Sequence, residues 1–268
     1  MVLKLLKYYL CHMVVGIMIL YVLLKLRNRG DIMVYLVGKK KIAKFIYPII
    51  QKELDSGEYD AYIEPFGGGG NIMENINFPL RYFYDINKYL IAFYNKLKEG
   101  WDIPEPNSFN ADHYNEVRKS WKEKDGKYPD WYYGYMMFVP SYNGKMWGSF
   151  AKDGSRLYQQ EHYSSVINNF PKIKDCIFEN KDYTDIKCKN SVIYCDPPYL
   201  DSQRNYYDCD FNHNNFYDWY RVMSKDNKIF ISETQMPNDF KVVWEKPYKR
   251  ALANQTKAIK TIEKLFTL

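Results

Sequence analysis

Short apolar runs, each closed by glycines, an acid or a proline pair and separated by stretches of helical periodicity, constrain this chain more than any other feature. Ala61–Ile63 is one such run, followed by Glu64-Pro65-Phe66 and the glycines Gly67 to Gly70, which are expected to open a helix. Arg81–Tyr84 is a second, ended by Asp85, and Lys88–Lys98 then carries Leu90, Ile91, Tyr94 and Leu97 at helical spacing. Strand, helix, strand, helix is the α/β pattern, in which strands apolar on both faces must be covered on both. Upstream, Ile42, Phe45, Ile46 and Ile49 share one face of a helix that Pro48 is expected to kink or stop. Further buried-strand candidates are Cys176–Phe178, Ser191–Cys195 and Lys228–Ser232.

From Trp101 to Phe170 the alternation disappears, replaced by proline, asparagine and a dense aromatic set that includes Trp121, Trp131, Tyr135, Tyr142 and Trp147. This stretch reads as an inserted module. Within it, Phe138–Phe150 contains Asn143-Gly144, a dipeptide that favours hairpin turns.

A hydrophobic share of 46% and an aromatic share of 18% supply enough apolar surface to offset chain entropy, so disorder is excluded as the default. The net charge of +6 points toward nucleic acid only weakly, because residues 1–32 hold +4 of it and leave +2 for the rest. The five cysteines are odd in number and form no CxxC pair, which argues for a reducing compartment with neither disulfides nor a zinc site. In residues 1–32 the apolar run Met13–Leu24 has 12 residues, short of the roughly 20 that a spanning helix needs. No small-residue cleavage site follows it. A retained membrane anchor, a surface-lying helix and an extension ahead of a true start at Met33 all remain open for this segment.

Two constellations carry chemistry. In the first, the glycine loop follows a strand, where a backbone free of side chains can turn sharply and approach a ligand, and Asp85 ends the next strand, where a ribose would be held through its hydroxyls. The second, Asp196-Pro197-Pro198-Tyr199, follows the apolar run Ser191–Cys195. Paired prolines fix the backbone so that adjacent carbonyl groups face outward from the strand end. A carboxylate and a peptide carbonyl side by side accept both N–H donors of a planar exocyclic amine, and an aromatic ring beside them offers a surface for a base taken out of its stack.

These motifs, in this order, resemble the Dam-like N6-adenine-specific DNA methyltransferases of bacteria and phages. The resemblance covers Met33 to the C-terminus: the Tyr35–Lys39 segment, the Glu64–Gly70 loop, Asp85-Ile86-Asn87, an inserted region and Asp196–Tyr199, with further likeness at Phe211-Asn212-His213, Ile231-Ser232-Glu233 and Glu263–Phe266. It implies a Rossmann-like S-adenosylmethionine-dependent methyltransferase fold with a mixed, mostly parallel sheet. The catalytic domain would span 33–100 and 171–268, with a target-recognition insertion at 101–170. Tyr35 and Lys39 would line the cofactor site, Pro65, Phe66, Gly67, Gly68 and Gly70 would pass beside the methionine part of S-adenosyl-L-methionine, and Asp85 would bind its ribose. Asp182 and Tyr183 would flank its adenine, and Asp196 counts on both the cofactor and the catalytic side. Asp196, Pro197, Pro198 and Tyr199 would hold the target adenine, with the Tyr199 ring needed more than its hydroxyl. Asn143, Lys145, Lys152 and Arg156 would meet double-stranded DNA. One departure is Val37, where the family usually has a glycine.

The mechanism implied is direct in-line displacement, which gives Cys195 no nucleophilic role. Rival readings are an RNA or protein-amide methyltransferase on the same fold and a non-catalytic DNA- or membrane-associated relative. The location implied is the cytoplasm, with membrane association only through residues 1–32 and no metal.

Overall fold

The computed structural model describes residues 39–152, 157–199, 211–250 and 259–268. Tyr35, Val37, Cys209, Arg156 and the whole of residues 1–32 lie outside the described residues.

Seven strands form one sheet in the order β3-β2-β1-β4-β5-β7-β6. The strands β1 (Ala61–Glu64), β2 (Arg81–Asp85), β3 (Ile177–Asn180), β4 (Ser191–Cys195) and β5 (Lys228–Glu233) run parallel, with Ile63 opposite both Tyr82 and Ile193 and Cys195 opposite Ile231. The hairpin of β6 (Lys241–Arg250) and β7 (Ile259–Thr267) adds two antiparallel strands, with β7 lying between β5 and β6. This is the Rossmann-like methyltransferase arrangement, mixed and mostly parallel. The period of two along each strand divides its side chains between two cores. Tyr62, Phe83, Val192, Tyr194, Phe230 and Leu265 join one, and Ala61, Ile63, Tyr84, Ile193, Cys195 and Phe266 join the other.

Helix α1 (Lys40–Leu54) and helix α2 (Lys88–Lys98) cover the first face, burying Ile46, Ile50, Leu90 and Phe93. Pro48 neither stops α1 nor ends it early: the helix runs on to Leu54. The reason is exposure, since Pro48 and Lys44, whose carbonyl loses its helical donor, both face water, which can satisfy that carbonyl. Another expectation fails outright. The glycines after β1 open no α-helix but a compact turn and the single 3-10 turn Met73–Asn75. Ile72, Met73 and Ile76 are buried within it, and the chain must reach β2 at Arg81 soon afterwards, so the turn spends its apolar residues locally instead of on a helix face.

The aromatic stretch is helical, with α3 (Ala111–Glu123), α4 (Asp130–Phe138) and α5 (Tyr158–Ile173), the last of which leads into β3. Its periodicity is masked by aromatic residues on several faces of α4, where Tyr133, Tyr135, Met136, Met137 and Phe138 are all buried. Asn143 and Gly144 do take positive φ values of 58° and 63°, as the turn dipeptide requires. The arms do not become strands, however, and only a single bridge, Ser141 to Phe150, spans them. On the opposite face of the sheet, helix α6 (His213–Met223) buries Phe216, Tyr217 and Tyr220. Among the described residues no helix is long and apolar enough to cross a membrane.

Helices α2 and α4 meet at Gly134. A Cβ there would lie 2.1 Å from the Tyr89 carbonyl oxygen and 2.9 Å from the Phe93 Cβ, so the two helices approach as closely as glycine permits. Gly134→Ala should force them apart and destabilise the protein by about 1–3 kcal/mol, the usual cost of overpacking. Denaturant unfolding would measure it, and an unchanged midpoint would show that the helices slide without loss.

Candidate active site

The parallel register brings the ends of β1, β2 and β4 to one edge of the sheet. Strand order reverses between β1 and β4, since β2 and β3 lie to one side and β5 to the other. Such a reversal leaves a crevice beyond the strand ends where open α/β sheets hold ligands. Glu64 and the loop after it stand on one side of that crevice, and Asp196 on the other.

The loop is held close to the sheet. Gly67 N–H donates to the Tyr84 carbonyl at 2.8 Å, and a Cβ on Gly67 would lie 2.2 Å from the Phe83 ring. Gly68 takes a φ of +48°, and a Cβ built on it would meet nothing within 4 Å, so there is open space at that glycine. Asp85 fastens the loop from the next strand: its Oδ2 accepts from Gly68 N–H at 2.9 Å and its Oδ1 from Asn87 N–H at 2.8 Å. Burial raises the Asp85 carboxyl above its ordinary value, and these two donors oppose the shift. Asn87, whose side chain accepts from Tyr89 and Leu90 N–H, is the residue that caps α2. Asp85 therefore braces the glycine loop in addition to facing the crevice edge.

Phe66 turns toward the α6 face and packs against Tyr183 at 5.6 Å and Phe211 at 5.8 Å between ring centroids. Tyr183 also contacts Phe216 and Trp219 at 5.4 and 5.3 Å. Its neighbour Asp182 is engaged locally, its Oδ1 accepting from the backbone and hydroxyl of Thr184 at 2.8 and 2.7 Å.

At the end of β4, Asp196 is about a quarter exposed, at 24%, whereas the strand before it is wholly buried. Lys39 reaches it from the start of α1. The Lys39 carbonyl accepts from Ile42 and Ala43 N–H and begins the helix, while its side chain runs into the site, 5% exposed. The ammonium lies 3.3 Å from Asp196 Oδ1, 2.5 Å from Glu263 Oε1 on β7 and 4.2 Å from the centroid of the Tyr199 ring. Tyr199, itself buried, donates its hydroxyl to the same Glu263 oxygen at 2.6 Å. Burial pulls the Lys39 pKa down, but the two carboxylates outweigh it and leave the group above its ordinary value. His213 Nε2 donates to the Pro198 carbonyl at 2.9 Å and ties the proline pair to α6.

Glu64 is a further buried acid here. Burial pushes its carboxyl up to about 8, Asp196 adds to that rise, and the Tyr62 hydroxyl, donating at 2.7 Å, opposes it. Cys195 is fully buried, and burial drives its thiol well above the ordinary range. That suits a packed strand residue and not a nucleophile.

The sequence motifs thus converge in two linked groups, the Gly67–Gly68–Asp85 loop and the Lys39–Asp196–Tyr199 cluster. Asn143 and Lys145 lie on a separate loop that abuts the first group, because Met146 Sδ is 3.8 Å from Asn87 Nδ2, two positions after Asp85. Lys152 is exposed beyond that loop. Reading the sequence left Glu263 and His213 without roles and gave Glu64 no task beyond heading its motif. Nothing local to Glu263 signals its contact with a lysine 224 positions away. Among the described residues no group of three or more His, Cys, Asp or Glu side chains is arranged to hold a metal ion.

A sheet of this order, with a glycine loop after β1, an acid ending β2 and Asp-Pro-Pro-Tyr ending β4, defines a Rossmann-like methyltransferase fold. The chain belongs to the D12 class N6 adenine-specific DNA methyltransferase family, whose model matches residues 35–267. It is similar to the DNA adenine methylase of Escherichia coli, 28% identical over an alignment of 178 residues, with 57% of this chain and 61% of that protein covered. The DNA adenine methylase of Salmonella typhimurium is 28% identical over 174 residues, again 57% and 61% of the two chains. That of Vibrio cholerae is 30% identical over 158 residues, 51% of this chain and 55% of the relative. The matched stretch therefore spans less than two thirds of each relative.

The raised Glu64 pKa has a definite consequence for stability. The folded protein holds this proton more tightly than the unfolded chain, whose value is near the ordinary 4.5, so the contribution is full below that pH and is lost as pH rises through about 8. Glu64→Gln cannot ionise. Its melting temperature relative to the parent should climb between those limits and level off above them. A difference that is flat across this window in thermal scans would show that Glu64 titrates like an exposed carboxyl.

Proposed function

We propose that this chain transfers the methyl group of S-adenosylmethionine to the N6 amino group of an adenine flipped out of double-stranded DNA. The observation that carries the reading is Asp196-Pro197-Pro198-Tyr199 at the end of a central strand, across the crevice from the glycine loop, in a chain of the D12 family. The residues at the crevice fit the cofactor. Space at Gly68 accommodates a ligand close to backbone, Asp85 supplies a carboxylate for ribose hydroxyls, and the Phe66–Tyr183 pair offers an aromatic wall for a purine. Lys39 belongs to the same lining, and Tyr35 is assigned there with it.

S-adenosylmethionine supplies a methyl group already activated by the sulfonium, so the protein's task is alignment and polarisation. Asp196 accepts one N–H of the target amine and a proline carbonyl accepts the other. The Pro198 carbonyl already serves His213, which favours Pro197 for this part. Held this way, the nitrogen lone pair faces the methyl donor, and an in-line displacement needs no covalent intermediate. The Tyr199 ring supports the extruded base. Residues 101–170 would read the DNA, with Asn143, Lys145, Lys152 and Arg156 at its backbone and base edges.

Methylation-sensitive sequencing of DNA from cells expressing the chain tests the reaction, because it reports the modified base and its context together; unmodified adenine throughout would defeat the reading. Asp196→Ala should slow single-turnover transfer at least about 100-fold at saturating cofactor and DNA, the scale for loss of one preorganised contact to a reacting group. A near-parental rate would reduce the motif to a rigid strand exit. Asp85→Ala should weaken cofactor binding about 10- to 100-fold, measurable by titration calorimetry. Undiminished affinity would confine Asp85 to bracing the glycine loop.

A further inference from the structure

Glu263 lies on the strand β7 and meets both the lysine and the tyrosine of the transfer site through one oxygen. The Lys39 ammonium is nearer to Glu263, at 2.5 Å, than to Asp196, at 3.3 Å. Two carboxylates on one ammonium leave a net negative charge in the cluster. If Lys39 had Asp196 as its sole carboxylate, it would close on that group and compete with a substrate amine for its lone pairs.

We propose that Glu263 is a positioning residue for methyl transfer: it draws Lys39 off Asp196, keeps Asp196 a strong acceptor for the amine, and fixes the Tyr199 ring through its hydroxyl. The inference rests on the methyltransferase reading above. Its physical basis is the charge change of the reaction, in which the attacking nitrogen gains positive charge as its bond to the methyl carbon forms and the bond from carbon to sulfur breaks. The sulfur leaves with that electron pair as a neutral thioether, and the nitrogen afterwards gives up a proton to solvent. An excess negative charge beside that nitrogen favours the transition state, and in a site shielded from water its effect is large. Tyr199 is thereby given a use for its hydroxyl as well as its ring.

The test is single-turnover methyl transfer by the full chain at saturating S-adenosylmethionine and adenine-containing duplex DNA, for the parent, Glu263→Gln, Tyr199→Phe and the double variant, with dissociation constants for cofactor and DNA measured alongside. Glu263→Gln should slow transfer about 10- to 100-fold, the scale on which a displaced reacting group is felt, while both dissociation constants stay within about threefold of the parent. Tyr199→Phe should slow it less, and the double variant should fall short of the product of the two effects, since both break the same contact. A parental rate in Glu263→Gln overturns the proposal, and so does a rate loss accounted for entirely by weaker cofactor binding. Should Glu263→Gln fail to fold, a parental rate in Tyr199→Phe overturns it. A parent chain that leaves adenine unmethylated overturns the underlying reading, an outcome distinct from an active parent that the substitution does not touch.

Discussion

The buried ammonium of Lys39 is the interaction on which the site depends. An unpaired charge in this position would be prohibitive, and removing one partner from a buried pair costs about 3–5 kcal/mol in comparable cases. Lys39 is tolerated because Asp196 and Glu263 converge on it from β4 and β7. The start of α1, the end of the central strand and the last strand of the sheet are thereby bound to a single point. The same contact that stabilises these elements sets the charge and geometry where the motif Asp196–Tyr199 presents itself.

Everything else at the crevice follows from strand direction. Because β1, β2 and β4 are parallel and in register, Glu64, Asp85 and Asp196 reach the same edge although they are spread over much of the chain. The glycine loop can lie low there because Gly67 has no side chain to strike Phe83, and the Asp85 carboxylate then ties it down. Helix α4, pressed against α2 at Gly134, and the Met146 contact to Asn87 carry the aromatic segment to the same edge. The anchor of the glycine loop and the candidate DNA-reading loop thus both meet the start of one helix, α2.

Much of this was legible in the sequence wherever a local pattern coincides with a buried element. The five parallel strands are short apolar runs ended by turn formers or acids, and α2 shows its apolar spacing openly. The turn after the glycines was read wrongly because Ile72, Met73 and Ile76 satisfy themselves in a compact 3-10 turn, for which periodicity has no marker. Of the two outcomes expected at Pro48, a kink or a stop, the stop does not occur, and Lys44 one turn back is exposed to water that can satisfy its carbonyl. Helix α4 stayed hidden for the opposite reason, since a segment buried on several sides loses the polar face that marks a helix. Of the site, the motifs were visible and their cross-links were not. Glu263 sits among alternating residues of an ordinary strand, and only the placement of β7 against β5 brings it to Lys39.

That placement also makes the site depend on how the sheet is finished. β6 precedes β7 in the chain yet lies outside it in the sheet, so it has no strand to pair with until β7 has formed. β7 is therefore the strand through which β6 is joined to the rest of the sheet. The pairing of β7 with β5 is nearly local, Ile231 lying opposite Phe266, yet it brings Glu263 to a lysine 224 positions away. The strands β1 to β5 alone present the glycine loop and Asp196, and β7 adds the nearer carboxylate of Lys39. The strand that joins the hairpin to the sheet thus also completes the charge arrangement of the crevice.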